Sequence, residues 1–246
     1  MIKKSCKVNK ALNNLSIVRR HIYFAFDFFL PGSSKFFRKF KSLLIEPIDI
    51  RYLQLSLTYD CQCSCLHCGM NKYARKGEKL LPSEIFSLIN SLVDCGFGQI
   101  DFFGGEPLLD KNIYRYIDYA SGKGIFTHIN TNGILLNIDN VNKLYSAGLK
   151  AVSISFDSAE PREHDSNRGY HGAFELAMQG AKLCIEKKIK TIMSVYSSPS
   201  QIKKGETEML IKIAQESGFN SVRLLFPFRT GKLSELEGEK FDIQEL

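Results

Sequence analysis

Four cysteines lie within eight residues of this 246-residue chain, at positions 61, 63, 65 and 68. Three of them, Cys61, Cys65 and Cys68, form a C-x3-C-x2-C pattern directly after a predicted β-strand. Thiolates grouped in this way hold zinc or iron–sulfur clusters. Three thiolates satisfy three irons of a four-iron cluster and leave one iron without a protein ligand. An open position allows a metal centre to bind a substrate or cofactor directly, and a redox-active iron can also deliver an electron there.

Two further interpretations of this segment stay open. Cys63 either replaces a ligand or occupies a variable position, and we favour the variable position because the other three cysteines keep their spacing without it. All four cysteines together also suit a structural zinc knuckle, which spacing alone does not exclude. The clustering favours a metal site in a reducing compartment over a secreted disulfide framework, so we expect a cytoplasmic protein.

Flexible and polar residues follow the next two predicted strands. Gly104, Gly105 and Glu106 end the second strand. Two glycines allow a backbone to approach a ligand closely, and a carboxylate beside them can receive an ammonium group. Thr131-Asn132-Gly133 ends the third strand, where Asn-Gly is a common turn. Each segment alone is also compatible with a plain turn.

The fourth predicted strand ends in the run Ser153-Ile154-Ser155-Phe156-Asp157. The two-residue period of a strand places Ser155 and Asp157 on one face, opposite the apolar side chains. Small polar groups on an inward face can hydrogen-bond a ribose or a carboxylate. The competing interpretation is a polar strand end that opens to solvent.

A charged segment follows in the predicted loop before the next long helix. Arg168 can bind a carboxylate through two parallel hydrogen bonds, and Arg162 is close enough in sequence to compete for that role. His164 and Asp165 resemble an acid/base pair on paper. We expect them to form a loop-stabilising hydrogen bond instead.

Strand and helix patterns alternate regularly from Arg51 onward. Alternation of this kind predicts parallel βα units with right-handed crossovers, in an open barrel or a doubly wound sheet. Both arrangements place working residues at the carboxyl ends of strands, where the segments above lie. The predicted strands are 52–58, 99–103, 126–130, 151–156, 189–196 and 222–227, and the predicted helices are 82–94, 112–120, 141–147, 172–187 and 208–216.

The positive charge of the chain is concentrated at one end. Residues 1–50 carry ten Lys or Arg against three acidic residues, which accounts for the whole net charge of +7. This aromatic-rich extension either packs against the following domain, docks a partner or leader peptide, or lies on an anionic membrane surface. Nucleic acid is not an expected partner, because no known binding motif accompanies the charge. No apolar run has the length or flanks of a membrane span or signal peptide.

The cysteine pattern, followed in order by GGEP and SISFDS, resembles the radical S-adenosylmethionine (SAM) superfamily over about residues 52–229. The resemblance is closest to the peptide- and protein-modifying (SPASM-like) branch, where a His or aromatic residue often precedes the last cysteine, as His67 does. It implies an α/β fold: an open parallel (β/α)6 partial TIM barrel with an N-terminal basic helical extension. The implied boundaries are an extension at 1–50, a radical SAM core at 51–230 and a tail at 231–246.

The resemblance also implies cofactors and chemistry. Cys61, Cys65 and Cys68 would hold a [4Fe–4S] cluster whose open iron binds S-adenosyl-L-methionine (AdoMet). Reductive cleavage, with electrons from a flavodoxin- or ferredoxin-type donor, would give a 5′-deoxyadenosyl radical that abstracts hydrogen from a substrate. The residues expected to bind AdoMet are Gly104, Gly105, Glu106, Ser155, Asp157, Arg168 and His67.

The expected substrate is a peptide or protein. The alternatives are a small molecule of cofactor biosynthesis, or a non-catalytic metal-binding protein that uses the barrel as a platform. Many peptide-modifying members continue into a cysteine-rich C-terminal domain with auxiliary clusters. Because no cysteine follows Cys184, we expect a single cluster and no such domain in this chain.

Overall fold

The structure is a computed structural model that describes residues 51–70 and 79–226. The predicted basic extension at 1–50 and the tail at 231–246 lie outside the described residues. None of the helices within the described ranges is both long and apolar enough to cross a bilayer.

Six strands alternate with helices along the described chain, as the sequence pattern predicts. One additional 3₁₀ turn, Pro107–Leu109, follows the second strand. The strands are β1 (Arg51–Thr58), β2 (Phe97–Gly104), β3 (Phe126–Thr131), β4 (Ala151–Phe156), β5 (Lys190–Tyr196) and β6 (Ser221–Leu225), and the helices are α1 (Pro82–Asp94), α2 (Ile113–Gly122), α3 (Ile138–Ser146), α4 (Pro161–Arg168), α5 (Ala173–Glu186), α6 (Pro199–Lys203) and α7 (Glu206–Glu216).

All six strands belong to one parallel sheet in the order β1-β2-β3-β4-β5-β6. A doubly wound sheet reverses its strand order at a switch point, so the sequential order identifies the barrel type instead. In the described residues β1 and β6 are the two edges of the sheet. The predicted open parallel (β/α)6 partial TIM barrel is therefore confirmed.

The sheet is strongly curved. Arg223 on β6 donates from Nη2 to Asn130 Oδ1 on β3 at 2.6 Å, although the two strands lie three positions apart. In a flat sheet that separation is about 14 Å, at roughly 4.8 Å between neighbouring strands. Both side chains therefore point to the concave face, which also carries every second residue of each strand.

The convex face of the sheet packs against the helices and forms the hydrophobic core. Ile100, Phe102, Ile129, Val152 and Ile154 are completely buried there. Each side chain of this size contributes roughly 1.5–3 kcal/mol when buried. The core thus fixes the helices outside and leaves the concave face to polar residues.

Two helices were not predicted from the sequence. The segment of α4 was expected to be a loop, because PREHDSNR has no apolar periodicity. It begins with Pro161 at the first helical turn and ends at Gly169, whose φ of +60° suits a helix C-terminus. The five-residue helix α6 is too short to show periodicity. The strand β6 ends at Leu225, two residues before the predicted end.

Candidate active site

The cysteine loop follows β1 and is held by the end of α4. Ser64 N donates to Arg168 O at 2.9 Å, and Leu66 N donates to Asn167 O at 3.0 Å. A Cβ at Gly169 would lie 2.2 Å from Ser64 Oγ, so a larger residue would force the Ser64 side chain to move. The unpredicted helix α4 is therefore one of the elements that position the cysteines.

The sulfur atoms of two cysteines receive N–H donors. Asn132 Nδ2 lies 3.7 Å from Cys61 Sγ, and Arg168 Nη1 lies 3.8 Å from Cys65 Sγ. Hydrogen bonds from Cys63, helped by the Arg168 charge, lower the pKa of Cys61 to about 6 and that of Cys65 to about 7. The thiolate is the form that binds metal, so these two groups are prepared as ligands.

Cys63 lies buried between its two neighbours. Its backbone N–H donates to Cys61 Sγ at 3.4 Å, and hydrogen bonds to Cys61 and Cys65 raise the pKa of its thiol. The assignment of Cys63 to a variable position stays our prediction.

The described residues contain no complete single-ion site. Within residues 51–70 and 79–226, no group of three or more His, Cys, Asp or Glu side chains is arranged to hold one metal ion. A zinc knuckle needs four donors converging on one ion at about 2.0–2.3 Å. N–H donors to the sulfurs, present on Cys61 and Cys65, suit an iron–sulfur cluster.

Glu106 joins the ends of β2 and β3. Its side chain is completely buried, and Oε1 accepts from Leu108 N at 3.1 Å and from Thr131 Oγ1 at 2.8 Å. Oε2 accepts from Asn132 N at 2.9 Å. Burial raises the pKa of Glu106 to about 7 despite these bonds. Both oxygens already have partners within the fold, and contact with an AdoMet amino group stays a prediction.

Gly104 and Gly105 allow β2 to contact the start of the cysteine loop. A Cβ on Gly104 would lie 2.3 Å from Thr58 O, and one on Gly105 would lie 2.2 Å from Asp60 O. Gly105 N donates to Thr58 O at 2.7 Å. The predicted close approach therefore exists, and among the described residues it is to the protein's own backbone.

Asp157 and Arg168 form a buried ion pair beside the cysteines. Arg168 Nη2 lies 2.6 Å from Asp157 Oδ1, and both side chains are shielded from solvent. Burial alone would raise the pKa of Asp157, but the Arg168 charge holds it below its ordinary value. Arg168 is the last residue of α4, not a loop residue as predicted, and part of its fork already binds a carboxylate. Asp157 Oδ2 and Arg168 Nε remain buried without a partner in the described structure.

His67 stacks on an aromatic ring at the end of β5. Its ring centroid lies 4.4 Å from that of Tyr196, with 17° between the planes. His67 Nε2 lies 3.9 Å from Asp157 Oδ1, but burial lowers the pKa of the imidazole, so it is neutral near pH 7. Ser155 is half-buried and pairs in register with Ser194, on the same concave face.

His164 and Asp165 in α4 have structural roles, as we expected from the sequence. Asp157 N donates to His164 Nδ1 at 3.1 Å. Asp165 accepts from Gly172 N at 2.6 Å and from Phe174 N at 3.0 Å, at the start of α5. His164 thus binds the end of β4, and Asp165 binds the start of α5. The two side chains do not form an acid/base pair with each other.

The barrel has a polar interior that was not predicted from the sequence. Asp101 Oδ2 lies 3.2 Å from His128 Nδ1, and His128 Nε2 lies 2.8 Å from Ser153 Oγ. With Asn130 and Arg223, these residues line the concave face. Strand parity could have predicted this polar interior, because polar residues at every second position of a buried strand must face one side.

An open parallel barrel with a three-cysteine loop after its first strand defines a class of iron–sulfur proteins. The family described as the radical SAM superfamily matches residues 55–199. The chain belongs to this superfamily, whose members use a [4Fe–4S] cluster and AdoMet.

Curated relatives carry several different names. An AdoMet-dependent heme synthase of Methanosarcina barkeri is 28% identical over 186 residues, covering 75% of this chain and 53% of the relative. A PqqA peptide cyclase of Bradyrhizobium diazoefficiens is 31% identical over 129 residues, covering 52% of this chain and 34% of the relative. This chain thus spans about half or less of the length of these relatives.

Solved structures show the same fold. SuiB of Streptococcus suis, bound to precursor peptide SuiA, superposes with a TM-score of 0.67 at 16% identity, over 78% of this chain and 43% of that chain. The protein anSMEcpe with bound AdoMet gives a TM-score of 0.61 at 17% identity, over 72% and 52%.

Proposed function

We propose that this protein reductively cleaves AdoMet and abstracts hydrogen from a bound substrate. The observation that carries the proposal is the loop with Cys61, Cys65 and Cys68, which is fastened to α4 at the carboxyl ends of the strands. Cys61, Cys65 and Cys68 would hold a [4Fe–4S] cluster. With an electron from a flavodoxin- or ferredoxin-type donor, this group would supply the reductive cleavage of AdoMet to methionine and a hydrogen-abstracting 5′-deoxyadenosyl radical.

The chain's own residues prepare the cluster site. Arg168 and Asn132 direct N–H groups at the sulfurs of Cys65 and Cys61. Donors of this kind stabilise negative charge on cluster sulfurs and tune the reduction potential. Arg168 belongs to α4, and the end of α4 also binds the cysteine loop. The helix therefore keeps Arg168 Nη1 close to Cys65 Sγ.

Unpartnered atoms near this loop support a nearby AdoMet site. Arg168 Nε is a buried donor and Asp157 Oδ2 a buried acceptor, and a buried group without a partner is costly. The carboxylate and amino groups of a bound AdoMet would supply the missing partners. We assign the remaining contacts to Gly104, Gly105, Glu106, Ser155 and His67.

For the substrate, we propose a peptide or protein. The likeness to a PqqA peptide cyclase, and to the fold of SuiB in complex with its precursor peptide, supports this choice. A small molecule is the second candidate, because the relatives also include an AdoMet-dependent heme synthase and a Fe-coproporphyrin III synthase that is 35% identical over 136 residues. We place the reaction in the cytoplasm and assign partner or membrane docking to residues 1–50.

Anaerobic reconstitution tests the proposal. Protein loaded with iron and sulfide, then given dithionite and AdoMet, should release 5′-deoxyadenosine. Alanine at Cys61, Cys65 or Cys68 should abolish both iron loading and release. Cys184→Ala is the matched control, because this thiol is buried in the core on α5. Fully loaded protein that releases nothing would reject the activity, and bound zinc without brown colour would support the non-catalytic alternative.

A further inference from the structure

The concave face of the barrel holds a cationic group below the cysteine loop. Arg223 on β6 reaches across the barrel, where Nη2 donates to Asn130 Oδ1 at 2.6 Å and to Ser194 Oγ at 3.4 Å. Both acceptors are uncharged. Arg223 Nε is shielded from solvent and has no partner among the described residues.

Asp101 is the acidic residue of this interior, and its side chain has partners other than Arg223. Asp101 Oδ1 accepts from Gln99 Nε2 at 2.6 Å, and Oδ2 lies 3.2 Å from His128 Nδ1. Arg223 and Asp101 influence each other electrostatically, yet in the described part of the chain no carboxylate lies within 4.0 Å of Arg223. Arg223 is half-buried and its hydrogen-bond acceptors are neutral. A charge that is partly removed from water is stabilised by an anionic partner.

Arg223 lies at a depth in the barrel that suits contact with a substrate and not with the cluster. Arg223 pairs in register with Ser194, which pairs with Ser155, and Asn130 precedes Asn132 by two residues. At about 3.3 Å per residue, Asn130 lies roughly 7 Å below the strand end that contacts Cys61. Asn130, Ser194 and Ser155, which share this face with Arg223, carry neutral amide and hydroxyl groups.

We propose that Arg223 binds a carboxylate group of the hydrogen-donating substrate inside the barrel. This inference rests on the proposed function, because it places the substrate on the concave face beneath AdoMet. A guanidinium N–H forms a charge-assisted hydrogen bond with a carboxylate oxygen. The Nε–H of Arg223 is available for this bond, while Asn130 and Ser194 hold Nη2 in place. The carboxylate belongs either to a peptide or to a small molecule.

The test is a titration of the reconstituted, oxygen-free protein labelled with ¹⁵N-arginine. Propionate should shift the Arg223 Nε–H resonance saturably, and neutral propionamide at equal ionic strength should not. Propionate affinity measured by calorimetry should be at least tenfold weaker in Arg223→Gln, which lacks the observed resonance, as expected for a lost charge-assisted hydrogen bond. Arg115→Gln, which alters an exposed arginine on α2, should bind propionate like the wild type.

Further arms identify the source of the carboxylate and the ways in which the proposal fails. The site is assigned to peptides if a capped Ala-Glu-Ala peptide binds better than propionate and Ala-Gln-Ala does not bind. It is assigned to small molecules if only propionate binds. Absence of any shift, equal shifts with propionamide, or a shift produced by AdoMet that blocks propionate would overturn the proposal. If Arg223→Gln does not fold, Arg223→Lys identifies the resonance. The proposed function fails separately, when the wild type releases no 5′-deoxyadenosine.

Discussion

Replacing Asp157 by asparagine tests the buried ion pair that joins β4 to α4 beside the cysteine loop. In the wild type, the Asp157 carboxylate balances the Arg168 guanidinium at 2.6 Å, and both groups are withdrawn from water. Asparagine keeps the size and one acceptor oxygen but removes the charge. Arg168 then remains buried with no compensating carboxylate.

The expected loss follows from this burial. Breaking a buried pair by removing one partner costs about 3–5 kcal/mol, and we expect about 3 kcal/mol because asparagine still accepts a hydrogen bond. For a domain of this size, that loss corresponds to a fall in Tm of roughly 6–12 °C. The pKa of Asp157 lies below its ordinary value. The contribution of the carboxylate is therefore complete at neutral pH and is lost only as the pH falls below about 4.

The assay is urea and thermal unfolding under oxygen-free conditions, on preparations with equal iron content. Glu216→Gln is the control, because Glu216 pairs with Lys212 at 3.9 Å on the exposed face of α7 and should change stability by less than about 1 kcal/mol. The double variant Asp157→Asn/Arg168→Gln should be more stable than the sum of the single losses by about 1–3 kcal/mol. Strict additivity, or a single variant as stable as the control, would refute the reasoning.

Three further predictions concern the surrounding residues. Cys63→Ala should retain iron while Cys61→Ala loses it, measured as iron per protein after reconstitution; loss in both would make Cys63 a ligand. Glu106 has a pKa raised to about 7, so the fold favours its protonated form and wild-type stability should fall as the pH rises from about 4.5 to 7; Glu106→Gln should flatten this profile, and an unchanged slope in unfolding experiments would contradict the assignment. Gly133 and Gly96 both have positive φ, but a Cβ at Gly133 would lie 2.9 Å from Ala177 and one at Gly96 would meet nothing within 4 Å. Gly133→Ala should therefore lower the free energy of unfolding by about 1–3 kcal/mol more than Gly96→Ala, and equal losses would show that the contact relaxes freely.

Local pattern was sufficient to predict much of the fold. The apolar residues of α1, at helical spacing, gave both of its ends correctly, and the parallel arrangement followed from strict alternation of strands and helices. The helix α4 was missed because its residues are polar and its order depends on contacts with the cysteine loop. Those contacts are between backbone groups more than 100 residues apart, and no local pattern encodes them.

Side-chain partners were harder to predict than side-chain positions. The sequence placed Asp157 and Arg168 near the same strand end, but it did not indicate that they bind each other. Likewise, strand parity could have placed Asn130 and Arg223 on one face. Their contact depends on the curvature of the whole sheet, which results from the summed twist of six strands and is not visible in any one of them.

The most direct test of the central claim is electron paramagnetic resonance of the reduced protein, recorded without oxygen before and after addition of AdoMet. The wild type should show the signal of a four-iron cluster, and AdoMet should change that signal because it binds an iron that no cysteine occupies. A missing four-iron signal, or one that AdoMet leaves unchanged, would contradict the assignment of Cys61, Cys65 and Cys68 to a cluster with an open iron.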